Sequence, residues 1–381
     1  MDLNQRFPGI ADMEMAAKKR IPRFSWEYLA GGIGRDIAIQ GNIEALNRIQ
    51  LQPRYLVDDA GSPDLNHNLL GQNYRLPFGV APIGLSGLIW PRASEHLATA
   101  AKAADIPFAL SGFATSSIEQ IGDIGGRRWY QHYAINDDDI NQDMLKRAQL
   151  AGFETLIVTV DIPTLTRRDH NIRNGLSVPP HFNLRTLKDI MARPRWAFEM
   201  LTHGVPEFLS IKPYLPKNIS LQQTGILLSE MIEGHISLQR LKRFRDLWPG
   251  TLIVKGLLDP IDALLSMESG ADAVVISNHG GRQLDAAQPA VELISEFRQA
   301  VGDDFPLIVD GGIRSGLDIA RTLAMGANFV LCGKAFMFAI GAMGSKGGHH
   351  AIDVLHQELR STMGQLGCPN IAHLPQYLRE K

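Results

Sequence analysis

Cysteine is almost missing from this chain: two thiols, Cys332 and Cys368, occur in 381 residues. Two cannot build a disulfide framework, and their scarcity fits a reducing compartment. An excess of charge of one sign is missing too. The 38 Lys and Arg nearly balance 40 Asp and Glu, for a formal net charge of −2. No Lys/Arg block runs along the chain, so the basic field that nucleic acid demands is absent. No apolar run approaches the roughly 20 residues of a membrane span, and the opening MDLNQRFPGIADMEMAAKKRIP lacks the apolar core of a secretory leader. The expectation is a cytoplasmic protein.

What is present is a repeated pattern. Short β-branched runs lie at 78–84, 107–112, 128–133, 155–162, 251–257, 273–280, 306–312 and 329–334. Between them, stretches of helical period open on Ser, Asp or Pro and close on Gly. Continuous apolar strands separated by helices predict parallel strands buried on both faces. Eight such units predict an α/β fold, a closed (β/α)8 TIM barrel, with an open doubly wound sheet as the lesser alternative. The chain reads as one domain over 1–381, with an N-terminal helical cap (1–76), the barrel (77–334) and a C-terminal helical region (335–381).

A long insertion after the fourth barrel strand spans 177–236. Its first part, 177–217, holds six Lys/Arg against three Asp/Glu, with Trp196, Phe198, Phe208 and Tyr214 interleaved. Two readings stand beside each other: a peripheral contact with the inner face of a membrane, or a lid or subunit contact whose aromatics pack inward.

Barrel chemistry sits where strands end, and these strands end on polar or small residues: Gly84, Ser111, Gln131 with Tyr133, Thr159 with Asp161, Lys255, His279, Asp310 with Gly312, and Gly333 with Lys334. VDGGIRSG and LCGKAF place backbone amides, Arg314 and Lys334 where barrels often hold a phosphate. Lys255 suits either a Schiff base or the holding of charge on a cofactor. In SNHGGRQLD (277–285), His279 and Arg282 are three residues apart in a glycine-rich turn, so one can take a proton while the other grips a carboxylate. Asp161 would hold His279 and raise its basicity. GGIGRD lacks the dinucleotide-binding spacing, DDD (137–139) reads as a helix start, and the adjacent His349 and His350 make a poor metal pair. No metal site is expected.

SNHGGRQLD resembles the signature of the flavin mononucleotide (FMN)-dependent α-hydroxy-acid oxidases and dehydrogenases, and the likeness runs from about residue 6 to 380. GLIWPR and LGCPNIAHLPQYL are most similar to the mandelate dehydrogenase branch, whereas RPRWAFEMLTHGVP resembles the lactate dehydrogenase insertion. The side chain of the 2-hydroxy acid therefore stays open. The resemblance implies FMN as cofactor and oxidation of an (S)-2-hydroxy acid to the 2-oxo acid. It makes His279 the base, paired with Asp161. Arg282, Tyr28 and Arg168 would take the substrate carboxylate, and Tyr133 the hydroxyl. Lys255 would lie near N1 and O2 of the flavin, with the Ile83 and Gly84 backbone at N5. Ser111, Gln131, Thr159 and Ser277 would surround the ring, and Asp310, Gly312, Arg314, Gly333 and Lys334 would hold ribityl and phosphate. Oxygen, a quinone or a carrier protein would reoxidise the flavin, and a homotetramer would be usual. Lys334 stands where the family commonly has arginine, and His132 where leucine is usual. The rival readings from the residues alone are an aldolase using Lys255 and a non-catalytic barrel binding a phosphorylated ligand.

Overall fold

The computed structural model describes residues 2–56, 62–164, 166–176, 184–217, 219 and 221–379. A short antiparallel hairpin, β1 (His67–Leu69) and β2 (Gln72–Tyr74), precedes eight strands: β3 (Phe78–Val80), β4 (Phe108–Ser111), β5 (Arg128–His132), β6 (Thr155–Thr159), β7 (Thr251–Leu257), β8 (Ala273–Ile276), β9 (Leu307–Asp310) and β10 (Phe329–Cys332). All eight pair in parallel, and β10 bonds to β3 to close a barrel. The fold is the (β/α)8 barrel that the sequence pattern implies.

Side chains alternate across each strand, and that parity creates the site. Ala109, Trp129, Ile157, Ile253, Val275 and Ile308 form one apolar layer, separate from the core between strands and helices. Two residues further along the same strands, on the same inward parity, stand Ser111, Gln131, Thr159, Lys255, Ser277 and Asp310. The barrel interior thus passes from oil to a ring of polar groups at its C-terminal end. The hairpin fills the other end: Tyr74 packs 5.5 Å from Phe329 and 6.3 Å from Trp129, centroid to centroid. The N-terminal segment 1–76 contains helices Ile10–Arg20, Arg23–Ala30 and Ile37–Arg48, followed by β1 and β2.

His132 has the opposite parity to Gln131, so it faces the helices, edge-on to Phe244 at 5.4 Å and 2.8 Å from Asn141 Oδ1 through Nε2. Its Nδ1 has no partner, and burial pushes its pKa down to about 4. The folded chain therefore refuses a proton that the unfolded chain accepts as pH falls below about 6.5, and stability is lost across that window. His132→Leu should flatten the fall in Tm between neutral pH and about pH 4; melting curves that drop in parallel for both proteins would refute this.

In the insertion, residues 177–183, the start of the proposed basic aromatic stretch, lie outside the described residues. Beyond them run helices Leu184–Met191, Pro194–His203 and Leu221–Met231. The aromatics divide. Trp196 is buried, donates to the Ile89 carbonyl at 3.1 Å and meets Phe24 edge-on. Phe208 packs edge-on to Phe113, and Tyr214 donates to Asp143. Phe198 points outward, along with Leu184, Leu187, Met191, Leu201 and Val205, of which Leu201 is 84% exposed. Neither the inward nor the outward reading holds for the whole segment.

Candidate active site

Above the polar ring lies a cavity of about 620 Å³, within the roughly 300–1,000 Å³ of small-molecule sites. Its floor is crossed by an ion pair. Lys255 Nζ sits 3.1 Å from Asp310 Oδ2 and donates to Ser277 Oγ at 3.0 Å. Burial alone would lower the lysine's pKa, but Asp310 and Asp161 outweigh it and raise it above the ordinary value. A protonated amine has no lone pair with which to attack a carbonyl, which counts against the imine-forming reading.

The turn after β8 projects the candidate base. His279 Nδ1 lies 2.9 Å from Asp161 Oδ1, and the His279 amide donates to Ser277 Oγ at 3.0 Å. Burial would push the Asp161 carboxyl up, but His279 and Lys255 hold it below the usual carboxylate range. An ionised Asp161 fixes Nδ1 as the donor and leaves Nε2 with its lone pair. His279 itself has φ 55°, the left-handed conformation uncommon for a residue with a side chain. The glycine that follows at 281 answers a close approach: a Cβ there would lie 2.7 Å from the Ile39 amide of the cap. Gly256 does the same for Asp161. It has φ 107°, follows Lys255 at a bulge, and its Cβ would stand 2.5 Å from Asp161 Cγ.

Arg282 is half-buried at one wall, donating to the Tyr28 and Gly31 carbonyls at 2.7 and 2.8 Å, its guanidinium 5.0 Å from the Tyr28 ring. Burial and Arg168 push it down to about 10, so at neutral pH it remains a cation partly stripped of water. Tyr28 donates to the Gly84 carbonyl at 3.2 Å, and Tyr133 stacks on Phe113 at 4.9 Å. Ile83, Gly84, Tyr133, Thr159, Arg168, Gly312 and Gly333 all line the cavity. Arg314 and Lys334 line it too, Lys334 donating to the Ala30 carbonyl at 2.7 Å. Burial, Arg282 and Arg314 push the Lys334 ammonium well below its ordinary value. A surplus of crowded cations on one wall calls for an anion.

Ser111, Gln131 and Ser277 belong to the polar ring at the cavity floor, and Asp161 pairs with His279. Ser111 Oγ donates to Gln131 Oε1 at 2.9 Å, which leaves Gln131 Nε2 unpartnered. Thr159 Oγ1, Asp161 Oδ2 and Asp310 Oδ1 are likewise buried without a partner. Buried donors and acceptors are seldom left unmet. Unmet polar atoms around the floor and cations at the far wall fit a flat heteroaromatic ring that carries a phosphate. Gly256, Asn42 and Asn278 escaped the sequence reading. The two asparagines exchange side-chain hydrogen bonds at 2.9 and 2.8 Å, tying the cap to the SNHGGRQLD turn. Gly256 next to Lys255 was the available signal; nothing in the sequence pairs the asparagines. Among the described residues there is no cluster that could hold a metal ion.

The family model described as FMN-dependent dehydrogenase matches residues 17–380. The chain is 32% identical to (S)-mandelate dehydrogenase of Pseudomonas putida over all of its own length and 95% of that protein's. It is 36% identical to L-lactate dehydrogenase of Bartonella quintana over 93% of each. A crystal structure of the monotopic membrane protein (S)-mandelate dehydrogenase superposes with a TM-score of 0.94, at 33% identity, covering 99% of this chain and 100% of that one.

Proposed function

This chain belongs to the FMN-dependent dehydrogenase family, an FMN enzyme oxidising 2-hydroxy acids, and from that premise we propose that it acts on an (S)-2-hydroxy acid with a bulky apolar side chain, using His279 as base. The observation that carries this reading is the His279–Asp161 pair beside protonated Lys255 at one cavity floor. When bound, FMN supplies a flat acceptor for two electrons. Arg282, with Tyr28 and Arg168, takes the substrate carboxylate in a two-point grip. Tyr133 orients the hydroxyl, and His279 Nε2 accepts one of the two protons the acid gives up. Asp161 stabilises the imidazolium that results. Lys255 would supply positive charge beside the bound cofactor. Ser111, Gln131, Thr159, Ser277 and the Ile83–Gly84 backbone would surround its ring, and Asp310, Gly312, Arg314, Gly333 and Lys334 would hold its ribityl and phosphate.

Phe113, Tyr133 and Phe208 form a continuous aromatic wall, and a Cβ at Gly84 would meet nothing closer than 3.5 Å. Room beside apolar surface favours a mandelate-like substrate over glycolate, at about 0.8 kcal/mol per buried methylene. Expected from a panel of 2-hydroxy acids is a kcat/KM at least about 10²-fold higher for mandelate than for glycolate. A preference for glycolate would sink the side-chain reading.

For the reoxidant we favour a membrane quinone over oxygen or a soluble carrier. The exposed apolar faces of Leu184–Met191 and Pro194–His203 support a peripheral contact; no described helix is long and apolar enough to cross a membrane. Replacing Leu187, Phe198 and Leu201 with Asp should abolish flotation with anionic vesicles while dye-linked turnover persists. Unaltered flotation would remove the insertion from the contact, and rapid oxygen uptake by the parent enzyme would remove the quinone.

A further inference from the structure

The wall segment that carries Arg168 is fastened to the cap by groups the mechanism does not use. After β6, Thr166, Arg168, Asn171 and Ile172 face the cavity, and the short helix Asp169–Arg173 lies among them. His170 of that helix stands between two carboxylates of the cap: Nε2 is 3.2 Å from Asp36 Oδ2, and Nδ1 is 3.6 Å from Glu27 Oε2. Asn174, one turn on, donates to Glu27 and, at 2.7 Å, to the His170 carbonyl. The other Glu27 oxygen accepts from Arg23 Nε at 2.5 Å. Against the burial that would raise it, hydrogen bonds from Arg23 and Asn174 hold the Glu27 carboxyl below its ordinary value.

On the cap side, the backbone between these two carboxylates is the stretch that the site cations grip. Arg282 holds the Tyr28 and Gly31 carbonyls, Lys334 holds that of Ala30, and Asp36 Oδ1 accepts from the Gly32 amide at 2.7 Å. Residues 28–32 are therefore held from the barrel by cations and from the β6 segment by His170 and Asn174. The fit is close, since a Cβ on Gly31 would lie 3.3 Å from the His170 ring. An imidazole is suited to this place because its two nitrogens lie on opposite edges of a rigid ring and can face two carboxylates at once.

We propose that His170 is a positioning residue: by bridging Glu27 and Asp36 it sets where Arg168 stands relative to Arg282 and Tyr28, and so how tightly the substrate carboxylate is held. The inference rests on the reading of Arg168 as a carboxylate-binding group. Without the bridge, the segment must be ordered anew each time substrate binds, a cost that falls on binding and not on the proton transfer at His279.

The test is steady-state kinetics of the FMN-loaded enzyme. His170→Ala should raise KM for the hydroxy acid about tenfold and leave kcat within about twofold. His170→Gln, which keeps one donor toward Asp36, should recover part of the loss. Arg168→Met should raise KM by itself, and adding His170→Ala to it should raise KM no further, because both changes act on one contact. Should Arg168→Met weaken binding while His170→Ala leaves KM untouched, or lowers kcat alone, the positioning role is overturned. An unchanged KM in Arg168→Met removes the carboxylate reading itself, and this inference with it. If His170→Ala does not fold, Asp36→Asn is read in the same way.

Discussion

His279→Gln keeps its yellow cofactor and loses about 10³-fold in the rate of flavin reduction, the middle of the range that a positioned base contributes. The size follows from the geometry. Glutamine can still offer an N–H toward Asp161, so the turn and its contact with Ser277 Oγ are kept, but no atom remains that can accept a proton at neutral pH. Asp161 is already committed as a carboxylate by His279 and Lys255, so it stabilises positive charge on the imidazole and does not itself replace the base. Stopped-flow absorbance under anaerobic conditions reads this directly. A rate within tenfold of the parent would remove His279 from the base role.

Lys255→Met should damage stability and cofactor retention together. The ammonium is buried against Asp310, whose side chain is 10% exposed, and breaking such a pair by removing one partner costs about 3–5 kcal/mol. The variant should melt well below the parent and emerge largely free of flavin. The double change Lys255→Met with Asp310→Asn separates the two effects. With no uncompensated carboxylate it should recover most of the stability, yet it should still fail to reduce flavin at the parent rate, because the positive charge of Lys255 at the cavity floor is gone. Full recovery of both would reduce Lys255 to a structural cation.

The barrel was legible because its strands are buried on both faces and therefore read as apolar runs such as LIV (252–254) and AVVI (273–276). The polar residues at their ends were legible for a related reason: nothing but a site accounts for His279, Arg282 and Asp161 following oil. Less could be read where function depends on which way a side chain points. Ser111, Gln131 and Ser277 share the inward parity of Lys255 and join the polar ring, whereas His132, one residue past Gln131, turns away from the cavity altogether. The hairpin His67–Tyr74 is polar in sequence and becomes a plug only because Leu69 and Tyr74 enter a barrel that does not exist locally. The Asn42–Asn278 pair and the His170 bridge join residues more than a hundred positions apart, and single-sequence periodicity carries no signal for such contacts.

The central claim is that one cavity holds FMN over the Lys255–Asp310 floor with His279 poised to take a proton from an (S)-2-hydroxy acid. It is tested most directly by adding each enantiomer of mandelate to the purified, FMN-loaded protein without oxygen and following the visible flavin band. The account predicts rapid bleaching by the (S) acid and none by the (R). A protein that stays colourless when supplied with FMN, or one that binds it and is not bleached by any (S)-2-hydroxy acid, would contradict it.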